Sequence, residues 1–355
     1  MTMKTFETVE STTVPSAVRL PAEWENQQAI LMAWPHADTD WAYMLDQVQK
    51  CYVDIIRAII PYCKVVIVAP EADPVFNALS GCDSSRLRVV EVPTNDTWTR
   101  DYGVITTVDA AGTPVLNDFC FNGWGMKFAA DRDNLVTRTL YFNSILRGRY
   151  NNCLGFVFEG GSIESDGEGT LLTTARCLLS PNRNGQMTRR DISNYLKCVF
   201  GARKVLWLNS GELTGDDTDA HIDTLARLAP NNTILYMGCQ NPADEQYDEL
   251  CSMAAELKSL RNADGQPFNL LELPMPPACY DAEGNRLPAT YANFLIVNGA
   301  VIMPVYGCEK TDRLACMIAR VAFPGYDIIP VDCTALIQQH GSLHCATMQL
   351  PFFDL

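Results

Sequence analysis

The chain has no CxxC pair among its fourteen cysteines, no GxSxG turn, and no apolar run near the roughly 18 residues that a membrane helix requires. Those absences remove the paired-cysteine zinc and redox motifs, the serine-hydrolase elbow and a helical membrane span. Basic residues are also scarce. Lys and Arg number 27 against 42 Asp and Glu, for a formal net charge of −15 and a pI near 4.7. Nucleic-acid affinity comes from clustered Lys and Arg, so no nucleic-acid partner is expected, and a small cationic molecule suits such a field better. The opening "MTMKTFETVESTTVPSAVRL" lacks the hydrophobic centre of a secretion signal, so a cytoplasmic protein with no membrane partner is expected.

With 355 residues, 47% of them hydrophobic, the chain can bury a large core without disulfide staples. Its scattered cysteines are therefore read as small apolar residues. Residues 1–18 are polar and predict a flexible N-terminal tail, ahead of a single domain over 19–355.

A repeat organises that domain. Four stretches read as two apolar strands joined by a turn rich in Gly, Asp or Asn: 104–120 around "DAAGTP", 162–174 around "SDGEGT", 225–237 around "APNN" and 294–305 around "NG". Each precedes a helical periodicity (about 131–146, 188–200, 244–260 and 311–322) and then a short apolar strand such as "KVLWLN" or "FNLLEL". A fifth strand, strand, helix, strand unit assembles only across the termini: "LHCATMQLP" pairs with "QAILMAWP", followed by a helix over about 41–60 and "VVIVAP". Such closure removes sheet edges, as in a propeller. An ordinary α/β fold with coincidental hairpins is the alternative.

Equivalent points of units set about an axis all lie near that axis. The hairpins begin at "NDTWTRDYG" with Asp101, "FEGGS" with Glu159, "GDDTDAHID" with His221 and Asp223, "YANF", and "SLHC" with Cys345. Singly, each has an ordinary role as a turn or cap residue. Together they bring a thiol, an imidazole and several carboxylates to one point, which suits attack on the electron-poor carbon of a guanidinium: carboxylates hold its planar fork of N–H donors, and the thiol attacks.

The same segments carry a family resemblance. "LPAEWENQQAILMAWP", "TWTRDYG", "FNGWG", "FEGGSIESDGEGTLLTT", "LLSPNRN", "GDDTDAHIDTLARL", "YANFLIVNGAVIMPVYG" and "GSLHCATMQLP" stand in the order found in the agmatine deiminase and bacterial peptidylarginine deiminase family of guanidino-modifying enzymes. The resemblance implies a pentein fold, a five-bladed α/β propeller with pseudo-fivefold symmetry. It makes Cys345 the nucleophile, His221 the general acid and base, Asp101 and Asp223 the guanidinium-binding carboxylates, and Glu159 the group that orients the guanidinium or His221. The implied activity is hydrolysis of agmatine to N-carbamoylputrescine and ammonia, a step in putrescine and polyamine metabolism, through a covalent amidino intermediate on Cys345. Free or peptidyl arginine is the alternative substrate. No cofactor or metal is implied, and a homodimer is. Where the family often reads "WARDTGP" and "GGGNIHC", this chain has "WTRDYGV" and "QHGSLHC", differences that bear on substrate choice.

For the far end of the substrate, Asp217, Trp98 and Trp124 suit an ammonium tail, and Arg183 suits the carboxylate of free arginine. A metal site drawn from His340, His344, Cys345, His221, Asp216, Asp217, Asp219 and Asp223 is a rival. Strand alternation at the adjacent His344 and Cys345 disfavours it by sending their side chains to opposite faces. On that reading His340 and His344 are structural or solvent-facing, with His344 turned away from the site. A non-catalytic binding protein is the remaining rival.

Overall fold

The computed structural model describes residues 18–352. Apart from Val18, the expected tail lies outside the described residues, as do 353–355. Val18–Arg19 forms a two-residue strand on Ile105–Asp109.

Five sheets repeat one pattern: an antiparallel hairpin whose second strand also pairs, in parallel, with a strand reached through a helix. Ile105–Asp109 and Pro114–Cys120 are followed by the helix Asp133–Phe142 and the strand Arg149–Val157. Ile163–Ser165 and Thr170–Thr174 lead through Arg189–Phe200 to Lys204–Leu208. Ala226–Ala229 and Thr233–Met237 lead through Tyr247–Ser259 to Asn269–Leu273. Leu295–Val297 and Ala300–Val305 lead through Glu309–Ala322 to Asp327–Asp332. The fifth unit joins the two ends of the chain: Met348–Leu350 lies antiparallel to Ala29–Ala33, which pairs in parallel with Lys64–Ala69 after the helix Leu45–Ile59. Expected hairpins and helices therefore fall where the periodicity puts them.

Local chemistry explains the elements. Ala29–Ala33 is buried along its whole length and Lys64–Ala69 at every position but the first, as expected of strands paired in parallel and covered on both faces. Arg189–Phe200 starts in a capping box between Thr188 and Asp191 and stops at Gly201 in the left-handed region. A Cβ on Gly201 would stand 1.6 Å from the Val18 carbonyl oxygen, so only glycine fits.

The turns that precede the first strand of each unit position the candidate residues. Asp101 lies in the helical turn Thr99–Tyr102, Glu159 directly before the turn Gly160–Ser162, and His221 directly before Ile222–Thr224, which contains Asp223. Residues 343–346, with His344 and Cys345, form a turn two residues ahead of Met348–Leu350. This corrects the expected strand alternation there: strand geometry does not apply to this pair.

Candidate active site

Gly161 marks where these turns meet. A Cβ built on it would lie 2.6 Å from His221 Nδ1, 2.8 Å from Asp101 Oδ1 and 3.1 Å from Asp223 Oδ2. Three polar groups separated by up to 122 residues thus crowd one point, each buried.

Each is held. Asp101 accepts hydrogen bonds from Gly161 N at 3.0 Å and Trp124 Nε1 at 2.8 Å, and its Oδ1 lies 3.5 Å from His221 Nδ1. His221 Nε2 lies 2.7 Å from Glu159 Oε2. Glu159 is gripped from behind by Arg183, whose Nε lies 2.9 and 3.0 Å from its two oxygens. Cys345 Sγ lies 3.7 Å from Asp223 Oδ2 and receives a hydrogen bond from Asn293 Nδ2 at 3.2 Å. Asn293 Oδ1 in turn accepts from the backbone N–H groups of His344 and Cys345, at 2.8 and 3.2 Å. His221 Nδ1 and Asp223 Oδ1 are buried without a hydrogen-bond partner.

Burial pushes the Cys345 thiol well above its ordinary range, and the charges of Asp223 and Asp101 push the same way. Burial opposes a charged His221 ring, yet the charge of Asp101, with Cys177 and Glu159, outweighs it and holds that group well above its ordinary value. Asp101 is pushed up to about 6 by burial, with Asp223 and Glu159 adding to it. Burial also opposes ionisation of Glu159 and Asp223, but His221 with Arg183, and His344 respectively, keep them below the usual carboxylate range.

A narrow cleft reaches Cys345 and Asp101 and is lined further by Trp98, Trp124, Asp217, His340, Asp40 and Asp96. Trp98, Trp124 and Asp217 line this cleft. Arg183 does not, which corrects its assignment to a substrate carboxylate. Its guanidinium is sealed from solvent and saturated by Glu159, Asp219 Oδ2 at 2.5 Å and the Thr218 carbonyl at 2.8 Å. His340 is half-buried, its Nδ1 2.7 Å from the Gly215 carbonyl at the cleft, and His344 is fully buried and faces Asp223, which corrects its expected turn away from the site. Among the described residues, two groups could offer three metal ligands, Glu159 with Cys177 and His221, and Glu23 with Glu164 and His344. Each already holds a buried guanidinium, Arg183 or Arg227, whose charge competes with a cation.

Asn293 was not singled out by the sequence reading. The signal was its place in "YANF", at the start of the fourth hairpin and so at the phase of the other site residues.

A buried thiol, an imidazole and facing carboxylates around a small cleft, on a pentein-type α/β fold, define a hydrolase acting on C–N bonds of guanidino groups. Residues 19–351 match the profile of the Porphyromonas-type peptidyl-arginine deiminase family, and the chain belongs to that family. It is 32% identical to the agmatine deiminase of Stutzerimonas stutzeri, with 97% of this chain and 98% of that protein aligned. Among solved structures, a candidate arginine deiminase from Porphyromonas gingivalis is 49% identical, with a TM-score of 0.89 over 94% of this chain and 98% of that one. A Cys-to-Ser variant of C. jejuni agmatine deiminase with substrate bound is 36% identical, with a TM-score of 0.87 over 95% and 97%.

Proposed function

We propose that the chain is an agmatine deiminase. The carrying observation is the cleft's acidic lining: Asp40, Asp96, Asp101 and Asp217 belong to it, and among the described lining residues there is no Lys or Arg. An ammonium tail is favoured there and a carboxylate tail is repelled.

Asp101 and Asp223 hold the guanidinium N–H groups over Cys345. The bound cation offsets the two carboxylates and so lets the thiol ionise, its proton passing to solvent. The thiolate attacks the guanidinium carbon, and the C–N bond to the terminal nitrogen breaks as His221 delivers a proton, releasing ammonia and leaving an S-linked amidino group. His221, now neutral, takes a proton from water. The resulting hydroxide adds to the amidino carbon, and the C–S bond breaks as the adduct's O–H proton passes to the departing sulfur, giving the ureido product and the Cys345 thiol. Glu159 fixes the His221 ring, and Asn293 stabilises the sulfur by its N–H. None of these steps calls on a metal or organic cofactor.

Convergence of the five turns supports a closed five-bladed propeller with pseudo-fivefold symmetry around this site, in the single domain read from the sequence. All fourteen cysteines are free, which fits a reducing cytoplasmic compartment, and no described helix is long and apolar enough to cross a membrane. For the homodimer, Leu314, Met317 and Val321 offer an exposed apolar stripe on Glu309–Ala322.

Ammonium release from agmatine, free arginine and an arginine-containing peptide, measured in chelator and compared with Cys345→Ala, tests this reading. Release from agmatine alone, lost in the variant, supports it. Release from arginine or the peptide instead overturns the substrate, and full activity in the variant overturns the mechanism.

A further inference from the structure

A second buried ionic cluster lies behind Asp223 and takes no part in those steps. His344 Nδ1 lies 2.8 Å from Asp223 Oδ2, the same oxygen that stands 3.7 Å from Cys345 Sγ. On the other side of the ring, His344 Nε2 lies 2.8 Å from Glu23 Oε1. Arg227 faces this pair, with Nη2 2.5 Å from Glu23 Oε2 and 3.0 Å from His344 Nε2, and Nε 2.6 Å from Glu164 Oε1. Arg100 adds Nη1 at 3.1 Å from Glu23 Oε1 and Nε at 3.5 Å from the His344 carbonyl.

An ionised carboxylate only accepts hydrogen bonds, so a ring nitrogen 2.8 Å from one must carry a proton. With a carboxylate at each nitrogen, the ring carries two. Nη2 of Arg227, close to Nε2, is then a second donor to the same Glu23 carboxylate and not a donor to the ring.

We infer that His344 is a positioning residue for the reaction, a buried imidazolium that clamps Asp223 Oδ2 and offsets the charge of Asp223 beside the Cys345 thiol. The inference rests on the deiminase reading. Clamped through one oxygen, Asp223 cannot swing, and its unpartnered Oδ1 is left for a substrate N–H. The positive charge next to the thiolate opposes what Asp223 and Asp101 do to the thiol.

Three variants test this. His344→Leu removes donor and charge. His344→Asn keeps a donor at the level of Nδ1 but loses the charge and the link to Glu23. Glu23→Gln acts from the far end of the cluster. His344→Leu is expected to lower kcat for ammonium release on the order of 10²-fold, the cost of a misplaced catalytic group, with KM changing less. Asn is expected to restore at least about tenfold of that, since it keeps the hydrogen bond. In both His344 variants the midpoint of Cys345 alkylation against pH moves up on the order of one unit, the effect of one lost neighbouring cation, and Glu23→Gln moves it the same way by less. A folded His344→Leu protein with the native midpoint overturns the inference. Should that variant not fold, native midpoints in both His344→Asn and Glu23→Gln overturn it instead. Alkylation needs no substrate, so shifted midpoints in a protein that releases no ammonium from any guanidine would sink the deiminase reading, and with it the role in the reaction, while leaving the charge offset between His344 and Asp223 standing.

Discussion

His221 and Glu159 form a sealed pair, 2.7 Å apart between Nε2 and Oε2, with neither side chain exposed to solvent. That bond engages one ring nitrogen and leaves Nδ1 buried without a hydrogen-bond partner. The pair depends on Arg183, which neutralises Glu159 from the opposite side.

Arg183→Met should therefore destabilise the protein by about 3–5 kcal/mol, because Glu159 would be left as a buried charge without its cation. Urea denaturation measures this. A loss below about 1 kcal/mol, the worth of an exposed pair, would show that Arg183 does not hold Glu159.

Gly161→Ala places a methyl group 2.6 Å from His221 Nδ1 and 2.8 Å from Asp101 Oδ1. Expected is a fall in kcat on the order of 10²-fold from displaced groups, together with a melting temperature close to the native one. Native turnover in the alanine variant would contradict the convergence of those groups on one point.

Asn293→Ala removes the N–H donor to Cys345 Sγ and the acceptor for two backbone N–H groups. Loss of a donor aimed at developing charge costs roughly 10²- to 10³-fold in kcat. Steady-state ammonium release reads the effect, and a change of less than about threefold would remove Asn293 from the mechanism.

Stability should depend on pH in a particular direction. Burial comes first among the causes that push Asp101 and Asp217 up to about 6, Asp96 and Glu164 to about 7, and Asp133 to about 8. The folded protein then binds protons that the unfolded chain releases near pH 4, so what these groups contribute is present at about pH 4 and lost as pH rises through 6 to 8. His221, also raised, acts in the same direction. Glu159 and Asp223 are lowered, and their contribution disappears only as pH falls below the ordinary carboxylate range. The urea midpoint should accordingly be higher at pH 5 than at pH 8, and the reverse order would refute this balance.

The five hairpins, their helices and the strand that joins the two ends were legible in the sequence because each depends on local alternation, period and turn residues. The convergence of Cys345, His221, Asp101, Asp223 and Glu159 was legible because the repeat puts them at one phase. Arg183 was misassigned for a physical reason: a guanidinium in a polar loop looks available until its three partners, from Glu159 to Asp219, are known. His344 was misplaced because strand alternation was applied to a turn.

By itself, then, the sequence determined the repeating unit, the acidic character suited to a cationic substrate, and the residue types able to perform the chemistry, since these follow from composition and spacing. Only the tertiary structure decided which carboxylate each cation serves, as in Glu23 and His344, 321 residues apart yet 2.8 Å from one another. Such pairings arise from how the turns close around a common centre, and no local period records them.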